Sequence, residues 1–264
     1  MSFFSVEHLT AEYGKQPVIH EISFELSAGC LLGILGANAS GKTTALKAIC
    51  GILPHTGSCV LDGTPLEGLS PRQIAKQCSY IPQRSGISID ISALDVVLMG
   101  FNPQLGLLEH PDCFMKELAR QALAQVGLSG KENKNYLHLS EGQKQLCILA
   151  RTLVSDRKLL LLDEPESALD FRFRYRMLKL LRSWVSEKKH AAIVTLHDPV
   201  LALNYCDQLL LLSEGKVLGS ISPTVDSCDK MEQMLEPVYG KVSLHTCRSR
   251  TGHPQLVMLK EEDT

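Results

Sequence analysis

The sequence predicts one α/β domain organised around a parallel sheet. Three apolar runs carry that expectation: Leu31-Leu32-Gly33-Ile34-Leu35, Leu159-Leu160-Leu161-Leu162, and Ala191-Ala192-Ile193-Val194-Thr195-Leu196. Each is short, unbroken and lacks the polar alternation of a strand with one wet face, so each reads as buried on both faces. Helical stretches separate them, and buried strands alternating with helices are the signature of βαβ units.

Taken in order, residues 3–8 and 18–26 read as strands, the second alternating as Ile-His-Glu-Ile-Ser-Phe-Glu-Leu. The run at 31–35 leads into a glycine-rich turn and a helix over 42–49, closed by Gly51. Another strand is expected over 57–62. From 95 to 126 the pattern is helical, with Pro103 and Pro111 marking a break. The helix after residue 170 carries several arginines, but its periodicity explains them. At 100° per residue Arg172, Arg176, Lys179 and Ser183 form a narrow stripe, while Phe173, Met177, Leu180, Leu181 and Trp184 occupy the opposite arc, extended by Leu178 and Val185. Arg174 alone sits among them, near the helix start where its stem can snorkel. That is a core helix with a solvated edge. Leu209-Leu210-Leu211-Leu212 is a further buried strand, and Ser213-Glu214-Gly215-Lys216 turns it back into 216–221 as a hairpin.

Composition narrows the class. Of 264 residues, 44% are apolar and 21% charged, which excludes disordered and low-complexity chains. With 27 basic and 29 acidic side chains the net charge is −2, so no basic excess points to nucleic acid. The nine cysteines are odd in number and have no C-x-x-C spacing; several lie inside apolar runs and read as small buried hydrophobes in a reducing compartment. The N-terminal residues lack the basic and apolar segments of a signal peptide, and no apolar run approaches the ~20 residues that span a bilayer. A cytoplasmic chain is expected, or one held at a membrane only through a partner.

Gly36-Ala37-Asn38-Ala39-Ser40-Gly41-Lys42-Thr43 fits G-x-x-x-x-G-K-[ST], between a buried strand and a helix as that loop requires. Its glycines let successive N–H groups face a β-phosphate, the helix N-terminus adds its dipole, Lys42 can bridge β- and γ-oxygens, and the Thr43 hydroxyl can ligate Mg²⁺. A second metal contact is expected at the end of a neighbouring strand. Asp163 and Glu164 follow the leucine run there: Asp163 as the contact to Mg²⁺, Glu164 as a general base for the attacking water. Leu139-Ser140-Glu141-Gly142-Gln143 then opens a helix, with Ser140 as N-cap and free N–H groups beside it, a second anion site. Two phosphate sites in one chain suggest that two chains share each nucleotide.

These segments resemble the ATP-binding subunits of ABC transporters, whose signature reads Leu-Ser-Gly-Gly-Gln, and the resemblance covers essentially the whole chain. It implies a P-loop fold with a mixed core sheet, an N-terminal antiparallel β-subdomain and a helical subdomain at about 86–155. Residues 1–237 would form the ATPase domain and 238–264 a short β tail. Tyr13 resembles the aromatic that stacks on adenine. Gln83, in Tyr80-Ile81-Pro82-Gln83, resembles the glutamine that touches Mg²⁺ and water and reports to membrane subunits. Ser167-Ala168-Leu169-Asp170 resembles the loop that crosses the dimer interface, and His197 the histidine that contacts the γ-phosphate. Nucleotide contacts would then come from Tyr13, Gly36, Asn38, Ser40, Gly41, Lys42, Thr43, Thr44, Ser140, Gly142, Gln143 and Asp170, metal contacts from Thr43, Gln83 and Asp163, and catalysis from Glu164, His197 and Gln83. Two residues depart from the family pattern: Glu141 replaces the first signature glycine, and Glu166 stands where relatives usually have Thr.

The 57 positions from Gln83 to Ser140 leave room for a compact helical subdomain and none for the long coiled coils of ABC-type DNA repair ATPases. Leu94-Asp95-Val96-Val97-Leu98-Met99-Gly100-Phe101-Asn102-Pro103-Gln104-Leu105-Gly106 resembles a stretch of the ATPases for iron–siderophore, haem and cobalamin uptake, which usually carry Arg at the Phe101 position and His at Gln104. The tail segments Val238-Tyr239-Gly240 and Gly252-His253-Pro254-Gln255-Leu256-Val257 resemble the ending of the same family. The resemblance implies an ATP- and Mg²⁺-dependent motor for import of such chelates. Its partners would be a second copy, membrane permease subunits and, indirectly, a substrate-binding receptor, and it would sit on the cytoplasmic face of the membrane. A soluble ABC-type ATPase acting as a regulatory or binding switch is the competing expectation.

Overall fold

The computed structural model describes residues 2–14, 16–83, 86–106 and 108–262; residues 1 and 264, the outer ends of the two expected units, lie outside these. The chain opens with β1 (Phe4–Tyr13) and β2 (Gln16–Leu26), followed by β3 (Leu31–Leu35), α1 (Lys42–Ile49), β4 (His55–Leu61), β5 (Thr64–Pro65), α2 (Pro71–Gln77) and β6 (Cys78–Ile81). A helical stretch follows: α3 (Ala93–Leu98) with a 3₁₀ turn at Met99–Phe101, α4 (Cys113–Gln125), a 3₁₀ turn at Tyr136–His138, and α5 (Glu141–Leu153). The second half runs β7 (Leu159–Asp163), α6 (Phe171–Lys188), β8 (Ala191–Thr195), α7 (Pro199–Tyr205), β9 (Gln208–Ser213), β10 (Lys216–Ile221), α8 (Cys228–Tyr239), β11 (Val242–Arg248) and β12 (Pro254–Lys260).

Two sheets result. The N-terminal sheet is antiparallel, in the order β2-β1-β4-β5; the central sheet has the order β10-β9-β3-β8-β7-β6, parallel except for the antiparallel edge strand β10. Alternation along the central strands explains their unbroken apolar sequence. Leu31 and Leu35 of β3, with Leu160 and Leu162 of β7, face one core among the helices, while Leu32, Ile34, Leu159 and Leu161 face a second core against Phe4, Leu9, Ile19 and Ile22 of the N-terminal sheet. This is the expected α/β architecture with a mixed central sheet and an antiparallel N-terminal sheet.

β1 runs five residues past its expected end. His8 has φ +50° and the register of β1 shifts between Val6 and Leu9, a bulge that breaks the side-chain alternation while pairing resumes beyond it. On α6, Arg172, Arg176, Lys179 and Ser183 are exposed, whereas Met177, Leu178, Leu181 and Val185 are buried, so the arginines are a solvated edge. Arg174 turns its guanidinium back to donate to the Leu169 carbonyl at 2.8 Å. Six cysteines (30, 50, 59, 78, 147 and 206) are buried. The hairpin β11–β12 is tied to α7 by Asn204, whose side-chain amide donates to Leu256 O at 2.8 Å and accepts from Leu256 N at 2.9 Å, completing a strand edge with a side chain. Among the described residues, no helix is long and apolar enough to cross a membrane.

Candidate functional site

The site lies beyond the carboxyl ends of β3, β6, β7 and β8, where open α/β sheets hold ligands. The loop leaving β3 needs its glycines: a Cβ on Gly36 would lie 2.2 Å from Leu212 O and 2.6 Å from Ser40 Oγ, and Gly41 has φ +103° at the start of α1. Lys42, only 5% exposed, donates its ammonium to Gly36 O at 2.9 Å and Ala37 O at 3.1 Å. Burial lowers its pKa, an effect opposed by the charges of Glu164, Asp163 and Glu166. Ser40 Oγ is buried without a hydrogen-bond partner, beside backbone N–H groups of the same loop. An orphaned hydroxyl inside a glycine-built, lysine-containing cradle fits the oxygens of a polyphosphate. Asn38 stands exposed at the loop's tip and Thr44 is buried within the first turn of α1.

Asp163, at the end of β7, is the hub of a buried network. Its Oδ1 accepts from Thr43 Oγ1 at 3.1 Å and from Thr195 Oγ1 at 3.0 Å, and its Oδ2 accepts from the Tyr80 hydroxyl at 3.2 Å. Burial, then the Asp163 charge, push the Tyr80 phenol upward, so Tyr80 remains a donor. Thr43 and Asp163 together present hard oxygen ligands of the kind that bind Mg²⁺.

Glu164 follows with φ +47°, a left-handed backbone that costs a residue with a side chain on the order of 1 kcal/mol. Its N–H donates to Thr195 Oγ1 at 2.8 Å, which holds it there. The side chain is gripped at both oxygens: Gln83 Nε2 donates to Oε2 at 2.7 Å, and His197 Nε2 lies 2.7 Å from Oε1. The His197 side chain is 45% exposed, open to a ligand on its far side. Lys42, Thr43, Gln83, Asp163, Glu164 and His197, drawn from four separate segments, therefore converge on one centre. Tyr13 ends β1 with its ring 49% exposed, free to offer a flat apolar face.

Ser140, Gly142, Gln143 and Asp170 form a second group. They line a cleft of about 470 Å³ with Ala168, Leu169 and Phe173. Ser140 caps α5 in a reciprocal capping box with Gln143, as expected of it from the sequence. Asp170 caps α6, accepting from Phe173 N at 3.1 Å. A Cβ on Gly142 would approach Ala168 O to 3.2 Å, so glycine lets the two segments close up. Glu141 points outward, its side chain 76% exposed and paired with Lys144 at 2.7 Å. Among the described residues, no hydrogen bond or ion pair joins this group to the Lys42 centre.

The sequence assigns no role to three residues of the first centre, Tyr80, Thr195 and Glu166, the last of them only a departure from the family pattern. Thr195 is wholly buried at the end of an apolar strand, and a lone hydroxyl in that position was the available signal. Tyr80 precedes the Pro82-Gln83 turn in a strand whose partner ends in an acid. Glu166 is a carboxylate at 2% exposure that accepts from His197 N at 3.1 Å.

Known proteins resemble this chain in sequence and fold. The family profile described as "ABC transporter" matches residues 19–167. The hemin import ATP-binding protein HmuV of Vibrio anguillarum is 33% identical over 94% of this chain and 95% of its own length. HmuV of Bordetella pertussis is 35% identical over 83% of this chain and 86% of its own. A metal-chelate type ABC transporter solved in an inward-facing conformation superposes with a TM-score of 0.82, at 25% identity and 99% coverage of both chains. The dimeric ATP-binding cassette MJ0796 bound to ADP and Pi shares the fold, with a TM-score of 0.75 at 22% identity over 83% of this chain and 98% of that one. The chain belongs to the ABC transporter family, as one of its ATP-binding, ATP-hydrolysing subunits.

Proposed function

We propose that this ATPase is the motor of an importer for iron chelates, haem or corrinoids. It works as a pair of copies bound to membrane permease subunits at the cytoplasmic face, fed indirectly by a substrate-binding receptor. The observation that carries this reading is the near full-length match to a hemin import ATP-binding protein. The whole-chain superposition on a metal-chelate type transporter supports it. Residues 1–237 act as the ATPase domain, with a helical subdomain at about 86–155, and 238–264 as an appended β tail.

In this reading the loop amides, Ser40 and Lys42 bind the β- and γ-phosphates, Tyr13 stacks on the adenine, and Asn38 and Thr44 complete the phosphate shell. Thr43, Asp163 and Gln83 would hold Mg²⁺, which when bound would supply charge neutralisation to the phosphates. Glu164 accepts a proton from the attacking water as its oxygen bonds to the γ-phosphorus and the bond to the β,γ-bridging oxygen breaks, leaving ADP and phosphate. His197 donates to the γ-phosphate. Ser140, Gly142, Gln143 and Asp170 of the second copy close over the same nucleotide. That division of labour explains why one chain keeps these two groups apart.

The test is ATP turnover by the purified chain, alone and with its permease, across receptors loaded with ferric siderophore, haem or cobalamin. Stimulation by one cargo supports the importer and names what it carries. Turnover indifferent to every membrane subunit and cargo would overturn it in favour of a soluble switch.

A further inference from the structure

Glu166 has no part in the chemistry above, yet it is among the most buried charged residues of the protein, at 2% exposure. It lies on the segment leaving β7, three residues beyond Asp163; His197 lies on the segment leaving β8, two beyond Thr195. Asp163 and Thr195 are paired across the parallel strands. From that shared edge the two segments exchange hydrogen bonds. Thr195 Oγ1 of the β8 side accepts the Glu164 N–H at 2.8 Å, and Glu166 Oε1 of the β7 side accepts the His197 N–H at 3.1 Å. Between these bonds sits the 2.7 Å contact of Glu164 with the His197 ring. The backbones that carry base and histidine are thus held by two crossed braces, one a threonine and the other Glu166.

We propose that Glu166 is a positioning residue for ATP hydrolysis, its buried carboxyl accepting the hydrogen bond that fixes the His197 backbone and hence the placement of the imidazole against Glu164 and the γ-phosphate. The proposal rests on the role given to His197 above. The other oxygen, Oε2, is buried with no partner, a poor setting for an anion. Burial is the main cause that raises the Glu166 pKa, with Glu164's charge adding to it; the bonds from its own N–H and the His197 N–H, and the His197 ring, oppose the rise. What the position requires is an acceptor oxygen of the right reach.

The experiment compares Glu166→Gln, which keeps reach and acceptor, with Glu166→Met, which keeps volume and loses the acceptor, reading kcat and KM for ATP in the transporter complex. The methionine variant is expected to lose at least about tenfold in kcat with KM changed by less than about twofold, and the glutamine variant to recover to within about threefold of the parent. Wild-type kcat in Glu166→Met overturns the proposal, as does a glutamine variant that fails as badly as the methionine one. If methionine prevents folding, judged by thermal melting, Glu166→Ala replaces it with the same readout. His197→Ala is run alongside. Full turnover there removes the role assigned to His197, whereas an inactive His197→Ala beside an active Glu166→Met overturns the Glu166 proposal alone.

Discussion

Gln83 and Glu164, 81 positions apart in the chain, meet side chain to side chain at 2.7 Å. Because the His197 ring occupies the other carboxylate oxygen, a water entering this centre must displace or share one of two existing partners. Phosphate binding can supply the exchange, since a γ-phosphate offers both His197 and Gln83 new acceptors.

Replacing Glu164 by Gln removes the proton acceptor while preserving shape and hydrogen bonding to Gln83. Turnover is expected to fall by about 10²–10⁴-fold with ATP still bound. Size-exclusion chromatography with ATP and Mg²⁺ should show a persistent dimer. A variant hydrolysing at the parent rate removes Glu164 from the role of base.

The Tyr80 hydroxyl is one of three donors to Asp163. Tyr80→Phe leaves one carboxylate oxygen without its buried partner, at a cost of about 1 kcal/mol. The measurable consequence is roughly a fivefold rise in the Mg²⁺ concentration needed for half-maximal turnover. An unchanged Mg²⁺ titration would show that Thr43 and Thr195 hold Asp163 without help.

Glu141 in place of a signature glycine invites the thought of a carboxylate facing phosphate, but it points outward to Lys144. Glu141→Ala should change stability by no more than about 0.5 kcal/mol. Turnover should rise by no more than about twofold, a difference that shrinks as salt screens the charge. An acceleration of tenfold or more would mean that the side chain turns inward when two copies close.

Glu166 also makes a prediction about stability. Its folded pKa is raised by burial, so the folded state holds the proton more tightly than the unfolded chain. Stability linked to this proton is fully present below the ordinary carboxylate range and is lost as pH rises through the raised pKa. Glu166→Gln, which never ionises, should therefore melt higher than the parent at pH 8, with the gap closing as pH falls below about 4. His197, Glu164 and Lys42 lie around this group, so the comparison belongs in the nucleotide-free protein, where no phosphate charge is added beside them. A gap independent of pH would show that Glu166 titrates normally.

The strands and the phosphate loop were legible because their physics is local. An unbroken Leu159–Leu162 run has one reading when both faces are buried, and a loop that must present amides to phosphate needs Gly36 and Gly41 where they stand. Ser140 announced the start of α5 through its cap. Tyr80, Thr195 and Glu166 were not legible, because what makes them matter is the pairing of β6 with β7 and of β7 with β8. No periodicity records which strand lies beside which, and a tyrosine, a threonine and a glutamate in isolation look like ordinary occupants of a strand or turn.

The six buried cysteines carry a practical consequence. Burial pushes the thiols of Cys30, Cys59, Cys78 and Cys147 up to about 12 and that of Cys50 to about 11, so at neutral pH almost none is thiolate, the form that alkylating and oxidising reagents attack. Cys113, the first residue of α4, and Cys247, on β11, are exposed. With the half-buried Cys228 of α8 replaced, the chain offers two exposed dye-attachment points, one among the helices and one on the tail hairpin, so movement of one against the other can be followed without engineering out the cysteines of the core.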